Sequence, residues 1–176
     1  MIDHSQLQYE VQNNACRWYA LRTKAKHEKK VDRVLKEKGI DSYLPLNVVY
    51  RRWSDRYKKI HEPMFSCYVF VYMLLKDRLS VLQTQGAVNF VTFNGAPAPI
   101  PDKQIISVKK ILENEANIEQ ANYFTRGTRV RIRSGILQGI EGQLLENGTD
   151  KRLVIGIDGI KQAISITIKS YDIELI

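Results

Sequence analysis

Gly127-Thr128-Arg129-Val130-Arg131-Ile132-Arg133-Ser134-Gly135-Ile136-Leu137-Gln138-Gly139-Ile140-Glu141-Gly142 decides the fold of the C-terminal third of the chain. Val130 and Ile132 alternate with Arg129, Arg131 and Arg133, the period-two pattern of a half-buried strand with a basic outer row. Gly135 and Gly139 permit tight turns, and Gly142 lets the backbone enter the next strand without a Cβ clash. Seven of the ten glycines fall at 127, 135, 139, 142, 148, 156 and 159. Short strands are expected at 128–133, 142–146, 152–157 and 163–168, which together make a small β-barrel. Each interior glycine costs a helix about 1 kcal/mol relative to alanine, so this segment is expected to stay in strands.

Toward the N-terminus the composition changes. Residues 113–122 are polar and read as a helix end running into a linker. Before them, 18–23 is a short aromatic strand, and 26–38 is a helix whose Val31, Val34 and Leu35 form one apolar stripe. Gly39 ends that helix, since it accepts a positive φ. Lys26, Lys29, Lys30, Arg33 and Lys36 then lie on its outer surface. Residues 42–50 are extended with a bend at Pro45. Residues 51–59 form a basic hairpin tip around Ser54-Asp55. The strongest strand is 65–73. An amphipathic helix at 76–85 carries Leu79 and Leu82. A strand at 88–93 ends at Asn94-Gly95. A helix capped by Asp102 buries Ile105, Val108, Ile111 and Leu112. The order β-α-β-β-α-β-α makes an α+β domain of ferredoxin-like, split βαβ type, over 17–115. A linker at 116–123 and the barrel at 124–176 follow.

The chain has 176 residues, with 27 Lys plus Arg against 19 Asp plus Glu and a net charge of +8. The excess is concentrated: residues 17–60 hold 14 basic and 5 acidic side chains, whereas 124–176 hold 8 and 6. Such a patch attracts polyanions, nucleic acid above all. The longest apolar run, 68–75, is far short of the roughly 20 residues of a membrane span. The polar N-terminus lacks a signal-peptide pattern. Two lone cysteines, Cys16 and Cys67, suit a reducing cytoplasm, so a cytoplasmic protein is expected. His4, His27 and His61 are scattered, no metal spacing appears, and no phosphate-binding or nucleophile motif is present. Neither a cofactor nor an enzyme activity is expected.

In the strand 65–73, Tyr68, Phe70 and Tyr72 point to one face, and Cys67, Val69, Val71 and Met73 to the other. Helices cover one face of a split βαβ sheet, so the aliphatic set is expected under them and the aromatic set on an open face. An RNA-recognition motif also displays aromatics on such a sheet, but its basic-Gly-aromatic-Gly signature is absent. Here Phe65, Ser66 and Cys67 precede Tyr68.

The spacing Gly127-x-x-Val130-x-Ile132-x-x-Gly135-x-Leu137-x-Gly139-x-x-Gly142 follows the KOW pattern. Upstream stand Trp18-Tyr19, a basic helix, and Glu62-Pro63-Met64-Phe65-Ser66-Cys67-Tyr68-Val69-Phe70-Val71. In this order the two halves resemble the NusG family of transcription elongation factors over about residues 17–176. Lys24, Tyr43-Leu44-Pro45, Asn89-Phe90-Val91-Thr92-Phe93 and Gly95-Ala96-Pro97 make it look most like the specialised members RfaH and UpxY. Ser66 stands where the family commonly has Pro, and the His-Thr-rich segment of RfaH is missing around 77–80.

The resemblance implies a ferredoxin-like NGN domain with an inserted basic hairpin, plus an SH3-like KOW barrel. It implies that Tyr68, Phe70, Phe93, Phe65 and Ala20 receive the clamp helices of the largest RNA polymerase subunits. Trp18 is expected in the core. Resemblance to RfaH assigns contacts with the non-template DNA strand to Lys24 and Lys30. Arg33, on the same helix face, and the hairpin residues Arg51, Arg52 and Arg56 are further expected nucleic-acid contacts. The barrel would take a protein partner, in the family ribosomal protein uS10 or Rho. The expected role is antitermination on a few long operons, by a monomer with no membrane contact. A general elongation or termination factor and a stand-alone RNA-binding KOW protein are the alternatives.

Overall fold

The computed structural model of the protein describes residues 15–114, 118–124, 126–147, 150–168 and 173–176. Their packing falls into two units. One comprises the described residues up to Leu44 together with Ser66–Asp102; the other comprises Pro45–Phe65 with the described residues from Lys103 onward. No described helix is long and apolar enough to cross a membrane.

The first unit is built on a sheet in the order β2-β5-β1-β6, from β1 (Arg17–Thr23), β2 (Asp41–Tyr43), β5 (Tyr68–Met73) and β6 (Ala87–Phe90). All its pairs are antiparallel, and a short β9 (Pro99–Ile100) also pairs with β1. Helix α1 (Glu28–Glu37) follows β1 and packs on β2 and β5. Its apolar stripe supplies Val31 and Leu35, both fully buried, while Lys26, Lys29, Lys30, Arg33 and Lys36 are exposed. The Asp32–Lys36 pair closes at 2.8 Å. Asp32 also accepts the Ser42 hydroxyl at 2.7 Å, which ties the helix to β2. Gly39, at φ 72°, turns the chain out of α1.

Two expectations in this unit need correction. The helix at 76–85 is a single turn at Leu75–Asp77 followed by α2 (Arg78–Leu82). Leu79 is 62 % exposed and Val81 is the buried residue, because so short a helix turns only one position inward. The strand expected from Phe65 begins at Tyr68, since Cys67 adopts φ 65° and breaks the extended run. Asn94 (φ 51°) and Gly95 (φ 81°) form the tight turn between β7 (Thr92–Phe93) and β8 (Ala96–Pro97), as Asn-Gly does in two-residue hairpins.

The second unit holds a six-stranded antiparallel sheet in the order β10-β14-β13-β12-β11-β15. Its strands are β10 (Ile118–Ala121), β11 (Thr128–Ile132), β12 (Glu141–Asn147), β13 (Asp150–Ile157), β14 (Gln162–Thr167) and β15 (Ile173–Leu175). Four were expected; β10 and β15 were not. Residues 118–121 were expected within a linker, yet Ile118 pairs with Ile166 and buries its side chain. Val130, Ile132, Leu137, Leu153, Ile157 and Ile164 are wholly buried in the core. Gly142 behaves as expected: a Cβ there would stand 2.5 Å from the Val154 carbonyl oxygen.

The same unit includes a separate hairpin, β3 (Leu46–Arg52) with β4 (Tyr57–Pro63), and helix α3 (Asp102–Asn114) from Lys103 onward. The hairpin base is held by Asn47 Nδ2 donating to Ile118 O at 3.3 Å and Gln120 Nε2 donating to Met64 O at 3.0 Å. Lys103 pairs with Glu141 at 3.6 Å, and Gln104 donates to Asp158 at 2.9 Å. Residues 45–65 and 103–114 thus share a unit with the six-stranded sheet.

Candidate functional site

On β1 and β5, Trp18 lies opposite Tyr72, Ala20 opposite Phe70, and Arg22 opposite Tyr68; Tyr43 of β2 lies opposite Phe70. Directly opposed residues share a face, so one surface carries Trp18, Ala20, Arg22, Tyr43, Tyr68, Phe70 and Tyr72. Trp18 and Tyr72 meet at 5.2 Å between ring centroids, and Tyr43 stacks on Phe70 at 6.5 Å. The opposite face carries Leu21, Val69 and Val71, all wholly buried.

The aromatic face is not open as expected along its whole length. Phe70 is 0 % exposed, and Ala20 and Phe65 are 1 % exposed. Phe70 lies between Ala20 on β1 and Tyr43 on β2 in the sheet, and its side chain is wholly buried. Of the five residues expected to meet a polymerase, Tyr68 is half-buried and Phe93 is 74 % exposed. The backbone N–H of Val91, just past β6, donates to Ala20 O at 2.9 Å, and Phe93 ends β7 at the turn into β8. Trp18, expected in the core, is half-buried.

Of the expected nucleic-acid residues, Lys24 directly follows β1. Its N–H donates to Gly86 O at 2.9 Å, and its side chain is exposed. Gly86 holds φ 102°, and a Cβ there would come within 3.1 Å of His27 and Val31. Lys30 and Arg33 lie on the outer face of α1; Lys30 donates to Gln85 at 2.8 Å and Arg33 approaches Glu37 at 3.6 Å. Lys24, Lys30 and Arg33 therefore belong to the first unit, whereas Arg51, Arg52 and Arg56 stand on the hairpin of the second. Arg51 is ion-paired with Glu62 at 2.8 Å, while Arg52 and Arg56 are exposed.

Two features had no signal in linear sequence. Glu28, at the start of α1, is 6 % exposed and accepts the Cys67 backbone N–H at 2.9 Å, fixing the loop that leads into Tyr68. The basic outer row of β11 is largely neutralised. Arg131 makes hydrogen bonds of 3.0 and 2.7 Å to Glu141 and 3.3 Å to Glu174. Arg129 and Arg133 approach the same two carboxylates at 3.9 and 4.0 Å. The Arg131 hydrogen bond holds the Glu141 carboxyl below its ordinary range. No group of three or more His, Cys, Asp or Glu that could hold a metal ion occurs among the described residues.

The chain is 26 % identical over 147 residues to the transcription termination/antitermination protein NusG of Chlamydia pneumoniae, covering 77 % of this chain and 80 % of that one. The solved structure described as domain interaction in Thermotoga maritima NusG superposes with a TM-score of 0.52 at 23 % identity, over 92 % of this chain and 97 % of that one. That likeness carries the fold: a mixed α/β chain, mostly strands, built like NusG. The family model for transcription termination factor nusG matches residues 16–109, more than half of the chain. The chain therefore belongs to the NusG family, whose members are transcription factors and not enzymes.

Proposed function

We propose that the protein is a specialised NusG-type antitermination factor that binds RNA polymerase through residues 17–115, an NGN domain, and promotes processive transcription of a few long operons. The observation that carries this is the aromatic face of β1 and β5, where Tyr68 reaches solvent beside Arg22, together with Phe93, exposed at the end of β7. A large exposed aromatic beside a tight turn is a surface a partner helix can bury. Tyr68 and Phe93 would form the contact with the clamp helices of the largest subunit, while Phe70 and Ala20 set its floor from within. Binding alone performs the function, because a factor that prefers the closed clamp raises the population of the elongating state.

Lys24, Lys30 and Arg33 on one unit, and Arg52 and Arg56 on the hairpin of the other, supply positive charge for the displaced non-template strand, with Arg51 held toward Glu62. The barrel, residues 124–176 and of KOW type, carries its arginine row already paired with Glu141 and Glu174. This suits a protein partner such as ribosomal protein uS10 or Rho better than nucleic acid. The test is co-purification with RNA polymerase, followed by nascent-transcript sequencing in a deletion strain. Loss of distal reads in a few long operons supports the reading. A genome-wide change would assign the general elongation or termination role, and failure to retain polymerase would overturn both.

A further inference from the structure

The β3–β4 hairpin has two unlike faces. Its register sets Arg52 opposite Tyr57, Tyr50 opposite Lys59, and Val48 opposite His61. These six side chains share one face, with no acidic residue among them. The other face carries Arg51, Lys58 and Glu62, and there the cations are engaged within the hairpin. Arg51 pairs with Glu62 at 2.8 Å, and Lys58 Nζ lies 4.6 Å from the Trp53 ring centroid. On the first face Tyr50 is 67 % and Tyr57 69 % exposed, and Arg52, Lys59 and His61 are exposed as well.

Burying tyrosine rings is favourable, so two of them left in water on a basic ribbon call for an occupant that is both flat and anionic. We propose that this face is a stacking platform for unpaired bases of a single-stranded nucleic acid, Tyr50 and Tyr57 taking the bases and Arg52 and Lys59 the phosphates. The proposal rests on the nucleic-acid reading above and moves its hairpin contacts from Arg51 to the opposite face. Tyr50 and Tyr57 are diagonal neighbours across the ladder, about 7–8 Å apart at Cα. That matches about two steps of the ~3.4 Å spacing along a nucleic-acid strand, so bases two positions apart can each find a ring. Aromatic–base stacking tolerates any base but needs it unpaired. The occupant is therefore a single strand, and a duplex is disfavoured.

The test measures binding of the full chain to a labelled oligothymidine, to an abasic strand of the same length, and to a duplex, by fluorescence anisotropy. The unmodified protein is expected to prefer the base-bearing single strand over both others. Tyr50→Ala and Tyr57→Ala should each weaken that binding by about 5- to 100-fold and leave abasic binding unchanged. Tyr50→Phe and Tyr57→Phe should restore it. Arg52→Ala should weaken both single strands and flatten their salt dependence. If the Tyr→Ala variants bind oligothymidine normally while Arg52→Ala does not, stacking is overturned and the phosphate reading stands. Equal binding of abasic strand or duplex by the unmodified protein overturns the stacking proposal. No binding to any strand overturns it together with the nucleic-acid reading.

Discussion

Glu28 on the first turn of α1 accepts the backbone N–H of Cys67 at 2.9 Å, and Cys67 holds φ 65°. A side chain 39 positions away thus fixes a left-handed residue immediately before the aromatic strand. The carboxylate is nearly buried, so Glu28→Ala leaves a part-buried amide without its acceptor. A loss of about 1–3 kcal/mol is expected, read as a lower urea midpoint. Glu28→Gln keeps an acceptor oxygen and should lose less. An unchanged midpoint for Glu28→Ala would show that the loop holds itself.

Phe70 and Phe93 separate stability from binding. Phe70 is wholly buried and Phe93 is 74 % exposed. Phe70→Ala should cost about 3–5 kcal/mol through transfer and cavity terms. Phe93→Ala should alter stability by no more than about 0.5 kcal/mol and yet reduce retention on polymerase. Thermal melts paired with pull-downs check both, and retention unchanged in a Tyr68→Ala, Phe93→Ala double variant would remove these residues from the polymerase contact.

Tyr123 donates its phenol to Asp158 at 2.7 Å, which pushes its pKa up to about 12 from 10.0. Because the folded state keeps the proton longer than the unfolded state, this group's stabilisation is intact below pH 10. It is lost as pH rises from 10 toward about 12. Asp158→Asn should bring the Tyr123 titration back toward the ordinary value. The ultraviolet tyrosinate signal of the folded protein, compared with that variant, reads the shift.

Glu141 works in the opposite direction. Hydrogen bonding from Arg131 depresses its pKa, so its contribution is present above the unfolded carboxylate value and fades as pH falls through the folded one. Glu141→Gln should therefore flatten the acid limb of a stability-against-pH curve measured by denaturation, while the limb near neutrality keeps its shape. An unaltered acid limb would show that the other carboxylates dominate there.

Gly142→Ala should be far costlier than Gly39→Ala. At Gly142 the new Cβ meets the Val154 carbonyl oxygen at 2.5 Å; at Gly39, φ 72°, it meets nothing within 4 Å. The second change carries backbone strain alone, about 1 kcal/mol. The first must shift a strand, and loss of amide protection across β12 and β13 would report it.

Local pattern carried much of this molecule. Val130 and Ile132 alternate with arginines, and Val31 and Leu35 repeat at helical spacing; both patterns report burial by period alone. The hairpin tip was legible from Ser54-Asp55. What pattern could not convey is partnership. Ile118 looks like linker sequence because a four-residue edge strand needs one buried side chain, and only pairing with β14 makes it a strand. Leu79 appears apolar and inward, but a five-residue helix has too few turns to bury two positions. At the candidate site, the sharing of one face by Tyr68, Phe70 and Tyr72 followed from alternation. The burial of Phe70 did not, because alternation assigns a residue to a face and does not say whether that face is covered. The role of Tyr50 is illegible in the sequence as well: its kinship with Tyr57 exists only in the register of the hairpin.

The strand order of the six-stranded sheet also dictates a sequence of events in time. β11 through β14 form a meander of successive hairpins, whereas β10 must find β14 and β15 must find β11. The Ile118–Ile166 and Val130–Leu175 pairings join residues far apart in the chain, and closing a longer loop carries a larger entropic cost. Local closures come first on that account, so the meander should be protected in pulse-labelling hydrogen exchange before either edge. During synthesis the interior of the sheet would then exist, briefly, with both flanks bare.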